Sequence, residues 1–137
     1  MRLLLVADDG LVRSAYCAVF AARRLRFDVA WSPADGLTRV RRQAYDVIIC
    51  EENMTAMSGT DFLRAVREFD LTVPIVLMTD GPVVETPTQA AEHGVCRYLS
   101  KSVGMDVLEE TLRRLERWHA PAVPAASAGW PMSSSPR

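Results

Sequence analysis

Two hydrophobic patterns alternate along the chain. Short runs of consecutive apolar residues are typical of strands buried on both faces, and longer stretches with apolar residues every three or four positions are typical of amphipathic helices. The first pattern predicts strands at residues 3–7, 47–50 and 75–78, and two further short strands are predicted at 27–31 and 95–99, where one charged residue interrupts each run. The second predicts five helices, at residues 11–24, 33–42, 59–69, 88–93 and 105–118. Strand and helix therefore alternate five times.

Local residue types refine the predicted helices. Ser32 and Pro33 suit the N-cap and first-turn positions of the second helix. The fourth helix is expected to be short or distorted, because Pro82 and Pro87 lie in its region and proline removes a backbone donor. The first helix is predicted to turn inward a set of residues with helical spacing: Leu11, Ala15, Ala18, Val19, Ala22 and Leu25.

The alternation predicts the fold class. Short connections between successive strands and helices favour a parallel sheet covered on both faces, which is a doubly wound α/β fold. In such sheets the ligand site lies beyond the carboxyl ends of the strands. The polar residues at these ends are Asp8 and Asp9 after the first strand, Glu51 and Glu52 after the third, Thr79 after the fourth and Lys101 after the fifth.

Four acids at one edge of a sheet indicate a cation site. Converging carboxylates repel one another unless a cation neutralises them, and oxygen ligands suit Mg²⁺. Any one of these acids alone is better explained as a solvated loop residue, so the prediction depends on the set. Lys101 is the only lysine among 16 basic residues. Its ammonium group can pair with a carboxylate or with a phosphoryl oxygen.

Composition and charge narrow the classes of function. The chain has 137 residues, of which 49% are hydrophobic and 24% charged, and this favours one globular domain. The formal net charge is −1, so no overall positive field is available to hold nucleic acid. No apolar stretch is long enough for a signal peptide or a membrane span, and a cytoplasmic location is therefore expected.

Cysteine spacing and the end of the chain add two further points. Cys17, Cys50 and Cys96 are too far apart for the usual zinc-site spacing and are interpreted as small buried hydrophobes. After Trp118 the composition becomes rich in Ala, Pro and Ser, without a helical or strand period. We therefore expect a folded domain at 1–118 and a tail or linker at 119–137.

The residues at the strand ends resemble those of a known family. The segment DVIICEENMTAMSG, residues 46–59, places Met54, Met57 and Gly59 as in a D-x-x-M-P-x-M-x-G motif. Together with the acids, the hydroxyl and the lysine after the other strands, this order is similar to that of receiver domains of two-component response regulators. The resemblance covers residues 1–118 and implies their flavodoxin-like (βα)5 fold.

Three positions depart from the family pattern. Glu51 stands where the resemblance places the phosphoacceptor aspartate, and it is one methylene longer. Thr55 replaces the usual proline of the motif, and Ser102 replaces the proline that usually follows the lysine. Phosphoryl transfer depends mainly on positioning and charge neutralisation, so displacing the nucleophilic oxygen is expected to be severely harmful.

The resemblance also implies roles for other residues. Thr79 and Tyr98 occupy the switch positions, and Lys101 occupies the position of the family's lysine. The family's magnesium ligands are matched by Asp9, Glu51 and the backbone carbonyl of Asn53, with Asp8 acting through water. Glutamate at position 51 keeps the number of carboxylates at the site unchanged, so weak Mg²⁺ binding is expected.

These features predict a degenerate receiver, or pseudo-receiver, that acts as a phosphorylation-independent signalling and protein-interaction module. The expected partner is a histidine kinase, an output domain or another signalling protein. A homodimer through the fourth helix, fifth strand and fifth helix is a further family expectation. Neither nucleic acid nor a membrane is expected to bind. Glu51 either mimics a phosphorylated state that is coupled to Thr79 and Tyr98, or forms a static ion pair with Lys101.

Two alternatives retain phosphoryl chemistry. One is a receiver that still accepts a phosphoryl group with Mg²⁺, and the other is a small Mg²⁺-dependent phosphatase on the same architecture. A hydrolase needs a nucleophile and a general acid or base in reach, and neither of the two histidines, His93 and His119, follows a predicted strand. No glycine-rich phosphate loop occurs. The sequence therefore favours a protein that is not an enzyme.

Overall fold

Five parallel strands form one sheet in the computed structural model, which describes residues 1–79, 97–100 and 105–118. The strands are β1 (Arg2–Val6), β2 (Arg26–Ala30), β3 (Val47–Glu51), β4 (Ile75–Thr79) and β5 (Arg97–Ser100). Their order across the sheet is β2-β1-β3-β4-β5. The predicted doubly wound α/β fold is confirmed, and the limits of β1 to β4 differ from the predicted ones by one residue at most.

Helices lie on both faces of this sheet. Those in the described part of the chain are α1 (Gly10–Ala22), α2 (Pro33–Arg42), α3 (Gly59–Arg67) and a further helix at Met105–Trp118. Ser32 caps α2, because its hydroxyl accepts the N–H of Asp35 at 3.1 Å, and Pro33 occupies the first turn as predicted. None of these helices combines the length and the apolar composition that a membrane span requires.

Several sequence predictions concern residues outside the described ranges. These are the helix at 88–93 with Pro82 and Pro87, the tail at 119–137, Cys96, His93 and His119. Of the other two cysteines, Cys50 is buried as expected, whereas Cys17 is only partly buried.

The sheet separates two hydrophobic clusters. Alternate side chains of each strand point to opposite faces. Leu4, Val6 and their neighbours in β3 and β4 pack against Phe62 and Leu63 of α3. On the other face, Leu3 and Leu5 pack with α1 and with the helix at Met105–Trp118. Every residue from Leu3 to Ala7 is fully buried, which confirms that the apolar run of β1 is a strand covered on both sides.

The inward face of α1 agrees only in part with the predicted one, since Val19 and Leu25 pack against the core but the three predicted alanines are exposed. Leu11 is 84% exposed, and the buried residues of the helix are Tyr16 and Phe20. Phe20 also makes an edge-to-face contact with Phe27, with ring centroids 5.3 Å apart. Small apolar residues lie on more than one side of α1, so their spacing does not identify the side that faces the core. Aromatic side chains remove more apolar surface from water than alanine does, and they take the buried positions.

A polar network fastens the edge strand β2 to the segment before β3. Asp28 Oδ2 accepts hydrogen bonds from Tyr45 OH at 2.7 Å and from Gln43 Nε2 at 2.9 Å. Arg2 Nε lies 3.6 Å from the same carboxylate oxygen. Since Tyr45 is buried, the network replaces water around a phenol hydroxyl that folding removes from solvent.

Alkaline pH is expected to weaken the fold through Tyr45. Burial and the hydrogen bond to Asp28 raise the pKa of Tyr45 from 10.0 to about 12. The folded state holds this proton more tightly, so the stabilisation is complete below pH 10 and is lost as the pH rises towards 12. Between about pH 8 and pH 11, we expect the free energy of unfolding in urea to fall by about 1.4 kcal/mol more in wild type than in Tyr45→Phe. Equal falls in the two proteins would contradict this role.

Candidate functional site

The strand order brings the predicted site residues to one edge of the sheet. β3 lies between β1 and β4, and Val6 pairs with Cys50 while Glu51 pairs with Met78. The chain segments that carry Asp8, Glu51 and Thr79 therefore leave the sheet side by side. Lys101 and Ser102 lie outside the described residues, and their predicted roles stay predictions.

Glu51 is the last residue of β3, and it is 1% exposed. The backbone on its carboxyl side is fixed, because the N–H of Glu52 donates to Met78 O at 2.8 Å. A buried carboxylate is costly unless charges or hydrogen bonds compensate for the lost water. Its burial also means that a reagent in solution cannot approach the carboxylate in line without displacing the atoms that cover it.

Asp8 and Asp9 both accept backbone N–H groups. Asp9 is the N-cap of α1, and its Oδ1 accepts from Leu11 at 2.8 Å and from Val12 at 3.4 Å. Asp8 Oδ2 accepts from the N–H of Thr55 at 2.7 Å. The acidic pair is therefore held by two different segments, the first turn of α1 and the loop between β3 and α3.

Glu52 has a structural role that the sequence prediction missed. Its Oε1 accepts from both the N–H of Thr60 at 2.9 Å and the hydroxyl of Thr60 at 2.8 Å. Ser58 caps the same helix through the N–H of Asp61 at 3.0 Å. Glu52 thus satisfies a second free N–H at the start of α3. The sequence grouped it with the acids of the site, but this carboxylate oxygen anchors a helix.

Gly59 allows α3 to begin directly against β3. Its N–H donates to Glu52 O at 2.8 Å. A Cβ at this position would lie 2.5 Å from Glu51 O and 2.9 Å from both Glu52 Cα and a methyl carbon of Leu77. Two of these three atoms belong to the backbone, so a side chain cannot be accommodated by a simple rotamer change.

Thr79 and Tyr98 share one face of the sheet. Tyr98 pairs with Leu77 and packs against the cluster that contains Leu77, whereas Met78 and Leu99 belong to the opposite cluster. By alternation Thr79 lies on the same face as Tyr98. The hydroxyl of Thr79 is 3.5 Å from Leu99 O, a long hydrogen bond to the strand that carries Tyr98.

The carboxylates of this edge act on the buried thiol beside them. Burial raises the pKa of Cys50 well above its usual range, and the negative charges of Glu52, Glu51 and Asp8 add to the rise. Cys50 Sγ donates to Glu51 O at 3.3 Å. The thiol therefore stays protonated and unreactive at neutral pH, which agrees with its interpretation as a buried hydrophobe.

The oxygen donors at this edge fit a hard divalent cation in their chemistry. Asp9, Glu51 and the carbonyl of Asn53 are the predicted ligands, and carboxylate and carbonyl oxygens are what Mg²⁺ prefers. Within the described ranges, no three His, Cys, Asp or Glu side chains converge closely enough to form a metal centre by themselves. A cation here would therefore need the carbonyl of Asn53 or water to complete its shell.

Arg13 and Trp31 form a contact at this edge that the sequence did not reveal. The Arg13 guanidinium lies 4.4 Å from the centre of the Trp31 ring, and its Nη1 donates to Ala7 O at 2.9 Å. Trp31 follows β2 and remains 67% exposed. Arg13 thus bridges the end of β1, next to the acidic pair, to an exposed aromatic ring.

Comparison with known proteins shows similarity over most of the chain. The family model of the response regulator receiver domain matches residues 3–113. The transcriptional regulatory protein ZraR of Salmonella typhimurium is 32% identical over 132 residues, which cover 91% of this chain and 29% of ZraR. The sensor histidine kinase RcsC of the same organism is 29% identical over 112 residues, 82% of this chain and 12% of RcsC. The chain therefore spans less than a third of either relative.

Solved structures show the same architecture. The chemotaxis protein CheY4 of Vibrio cholerae is 25% identical, with a TM-score of 0.72 over 83% of this chain and 97% of CheY4. The receiver domain of the Francisella response regulator 1452 is 21% identical, with a TM-score of 0.76 over 85% of this chain and 96% of that domain.

Proposed function

The chain belongs to the response regulator receiver domain family, which serves two-component signal transduction, and we propose that it acts as a phosphorylation-independent signalling module. In this function the domain binds a protein partner and carries out no phosphoryl transfer of its own. The partner is a histidine kinase, an output domain or another signalling protein. Such partners suit a chain whose matching segments form parts of a larger transcriptional regulator and of a larger sensor kinase.

The burial of Glu51 is the observation that carries this proposal. Its carboxylate is one methylene longer than that of aspartate, and it is 1% exposed at the end of β3. In-line phosphoryl transfer requires the nucleophilic oxygen to meet the donor in one orientation, with the reacting atoms about 3 to 3.5 Å apart. A carboxylate that is closed off from solvent does not meet this requirement.

Glu51 also places a carboxylate further from the backbone than aspartate does, towards the position that a phosphoryl group takes in a phosphorylated receiver. Thr79 lies at the end of the neighbouring strand, and its hydroxyl contacts the backbone of β5 next to Tyr98. We infer that Glu51, Thr79 and Tyr98 form the route by which the pocket influences the partner surface. A carboxylate carries less charge and fewer acceptor oxygens than a phosphoryl group, so the resulting state is a partial mimic.

Magnesium has a secondary place in this proposal. Asp9, Glu51 and the carbonyl of Asn53 would hold the ion, with Asp8 in contact through water. The ion would supply charge neutralisation to the acidic pocket. Binding is expected to be weak, because Asp8 and Asp9 already accept backbone N–H groups.

Wild type and Glu51→Gln are both expected to remain unmodified by a small-molecule phosphodonor. The full chain would be incubated with acetyl phosphate and Mg²⁺, and its intact mass measured before and after. Neither protein should gain the mass of a phosphoryl group, because the carboxylate of Glu51 is buried in the wild type and is absent from Glu51→Gln. Backbone amide NMR spectra of the wild type should also be unchanged by the donor.

A phosphoryl group on the wild type that maps to Glu51 would overturn the proposal. That result would support the alternative of a receiver that still signals by phosphoryl transfer. Steady release of inorganic phosphate from the donor, lost in Glu51→Gln, would support the phosphatase alternative instead.

A further inference from the structure

The loop at residues 52–58, which joins β3 to α3, is held at its base and at its middle. At the base, Glu52 accepts from the N–H groups of Gly59 and Thr60. In the middle, the N–H of Thr55 donates to Asp8 Oδ2 at 2.7 Å. The two contacts at the base stay within the loop and α3. The contact at Thr55 reaches Asp8, in the segment between β1 and α1, and so determines where the loop lies relative to the acidic pocket.

The Thr55 contact depends on a backbone atom and not on the side chain. Thr55 is exposed, so its side chain contributes little packing. The bond itself is short and charge-assisted, with a backbone amide as donor and a carboxylate as acceptor. Almost any residue at this position can make the bond. Proline is the exception, because it has no amide hydrogen.

Backbone amides supply positive charge to both members of the acidic pair. Asp8 accepts from Thr55, and Asp9 accepts from the first turn of α1. Oriented N–H dipoles stabilise negative charge and so reduce the repulsion between neighbouring carboxylates. A divalent cation would supply the same stabilisation. The N–H groups that donate to Asp8 and Asp9 are part of the folded backbone, so this stabilisation needs no bound ion.

We propose that the bond between Thr55 N–H and Asp8 is an amide latch, which competes for Asp8 with the water shell of a divalent cation and positions the 52–58 loop when no cation is bound. The latch also positions Asn53, whose carbonyl belongs to the same loop. Breaking the latch frees one oxygen of Asp8 and lets the loop adjust to the cation. The latch therefore makes the pocket largely independent of Mg²⁺.

The latch can be tested by comparing Thr55→Pro with Thr55→Ala in the full chain. Both substitutions remove the threonine side chain, but only proline removes the N–H donor. Isothermal titration with Mg²⁺ alone is expected to show about tenfold tighter binding by Thr55→Pro than by Thr55→Ala, which corresponds to one charge-assisted hydrogen bond. Thr55→Ala should bind Mg²⁺ like the wild type.

Amide exchange of Thr55 in the unaltered chain tests the same bond without a proline. In the absence of Mg²⁺ this amide should exchange about tenfold more slowly than an unprotected one, although its residue is exposed. Added Mg²⁺ should reduce this protection, because the water shell of the ion and the amide compete for Asp8. This measurement decides the question if Thr55→Pro does not fold, which circular dichroism would reveal.

Equal Mg²⁺ affinities of the two variants, weaker binding by Thr55→Pro, or no binding by either would overturn the latch. So would protection of the Thr55 amide that Mg²⁺ leaves unchanged or increases. The latch goes beyond the proposed function, since it concerns Asp8 and the loop and not the chemistry at Glu51. Phosphoryl transfer to the wild type would therefore overturn the proposed function while leaving the latch to be decided by these measurements.

Discussion

Glu51→Asp is expected to gain a phosphoryl group from acetyl phosphate in the presence of Mg²⁺, at a rate about 100-fold above that of the wild type. The Cα of this residue is fixed by the pairing of Glu51 with Met78 and by the N–H of Glu52 on Met78 O. Removing one methylene therefore withdraws the carboxylate by roughly 1.5 Å. We expect the space that it leaves to admit the phosphoryl group.

Intact mass is the measurement, and Glu51→Asn is the matched control. Asparagine has nearly the shape of aspartate but no nucleophilic oxygen, so any modification of Glu51→Asn would place the reaction elsewhere in the chain. An unmodified Glu51→Asp would show that the length of this side chain is not the main obstacle. Thr55 and Ser102, which stand where the family usually has proline, would then be the next residues to replace by proline.

Gly59→Ala is expected to lower the free energy of unfolding by about 3 kcal/mol or more. The new Cβ would meet Glu51 O at 2.5 Å and Glu52 Cα at 2.9 Å, and both atoms belong to the backbone at the end of β3. Relief requires α3 to move away from the strand, which strains the hydrogen bonds from Gly59 and Thr60 to Glu52. Urea denaturation followed by circular dichroism would measure the loss.

Gly10→Ala provides the comparison for this effect. Gly10 and Gly59 are each the first residue of a helix after an acidic or hydroxyl N-cap, but a Cβ at Gly10 would meet only the guanidinium of Arg13, at 3.5 Å. Alanine at that position should change stability by less than about 1 kcal/mol, in the stabilising direction. Similar losses in the two variants would show that the close approach at β3 is not the cause.

The strands β1, β3 and β4 could be predicted from the sequence because they are almost wholly buried, with helices on both faces of the sheet. A run such as Leu3 to Ala7 has no polar position to interrupt it, and the structure buries all of it. The helix α3 was equally clear, since Phe62, Leu63 and Val66 occupy one face and all are buried. The face of α1 was predicted only in part, because alanine spacing is a weak signal where larger aromatic residues compete for the core.

The site could be predicted as a location but not as a set of contacts. Parallel strands bring Asp8, Glu51 and Thr79 to one edge, and this follows from topology alone. The partners of the acids depend on contacts between distant segments, such as the one from Asp8 to Thr55, 47 residues away. One local signal was available: an aspartate directly before the helix is a common N-cap, and Asp9 has that role.

The interior position of β1, between β2 and β3, has a consequence for synthesis on the ribosome. A nascent chain can pair β1 with β2 early, but the other edge of β1 belongs to β3, which emerges later. At about 5–20 residues per second, the interval between residues 30 and 51 lasts roughly 1 to 4 s. Throughout that interval a wholly apolar strand has an open edge, which other unfolded chains can join. A chaperone that binds the nascent chain should therefore reduce aggregation most during the interval before β3 emerges and pairs with β1.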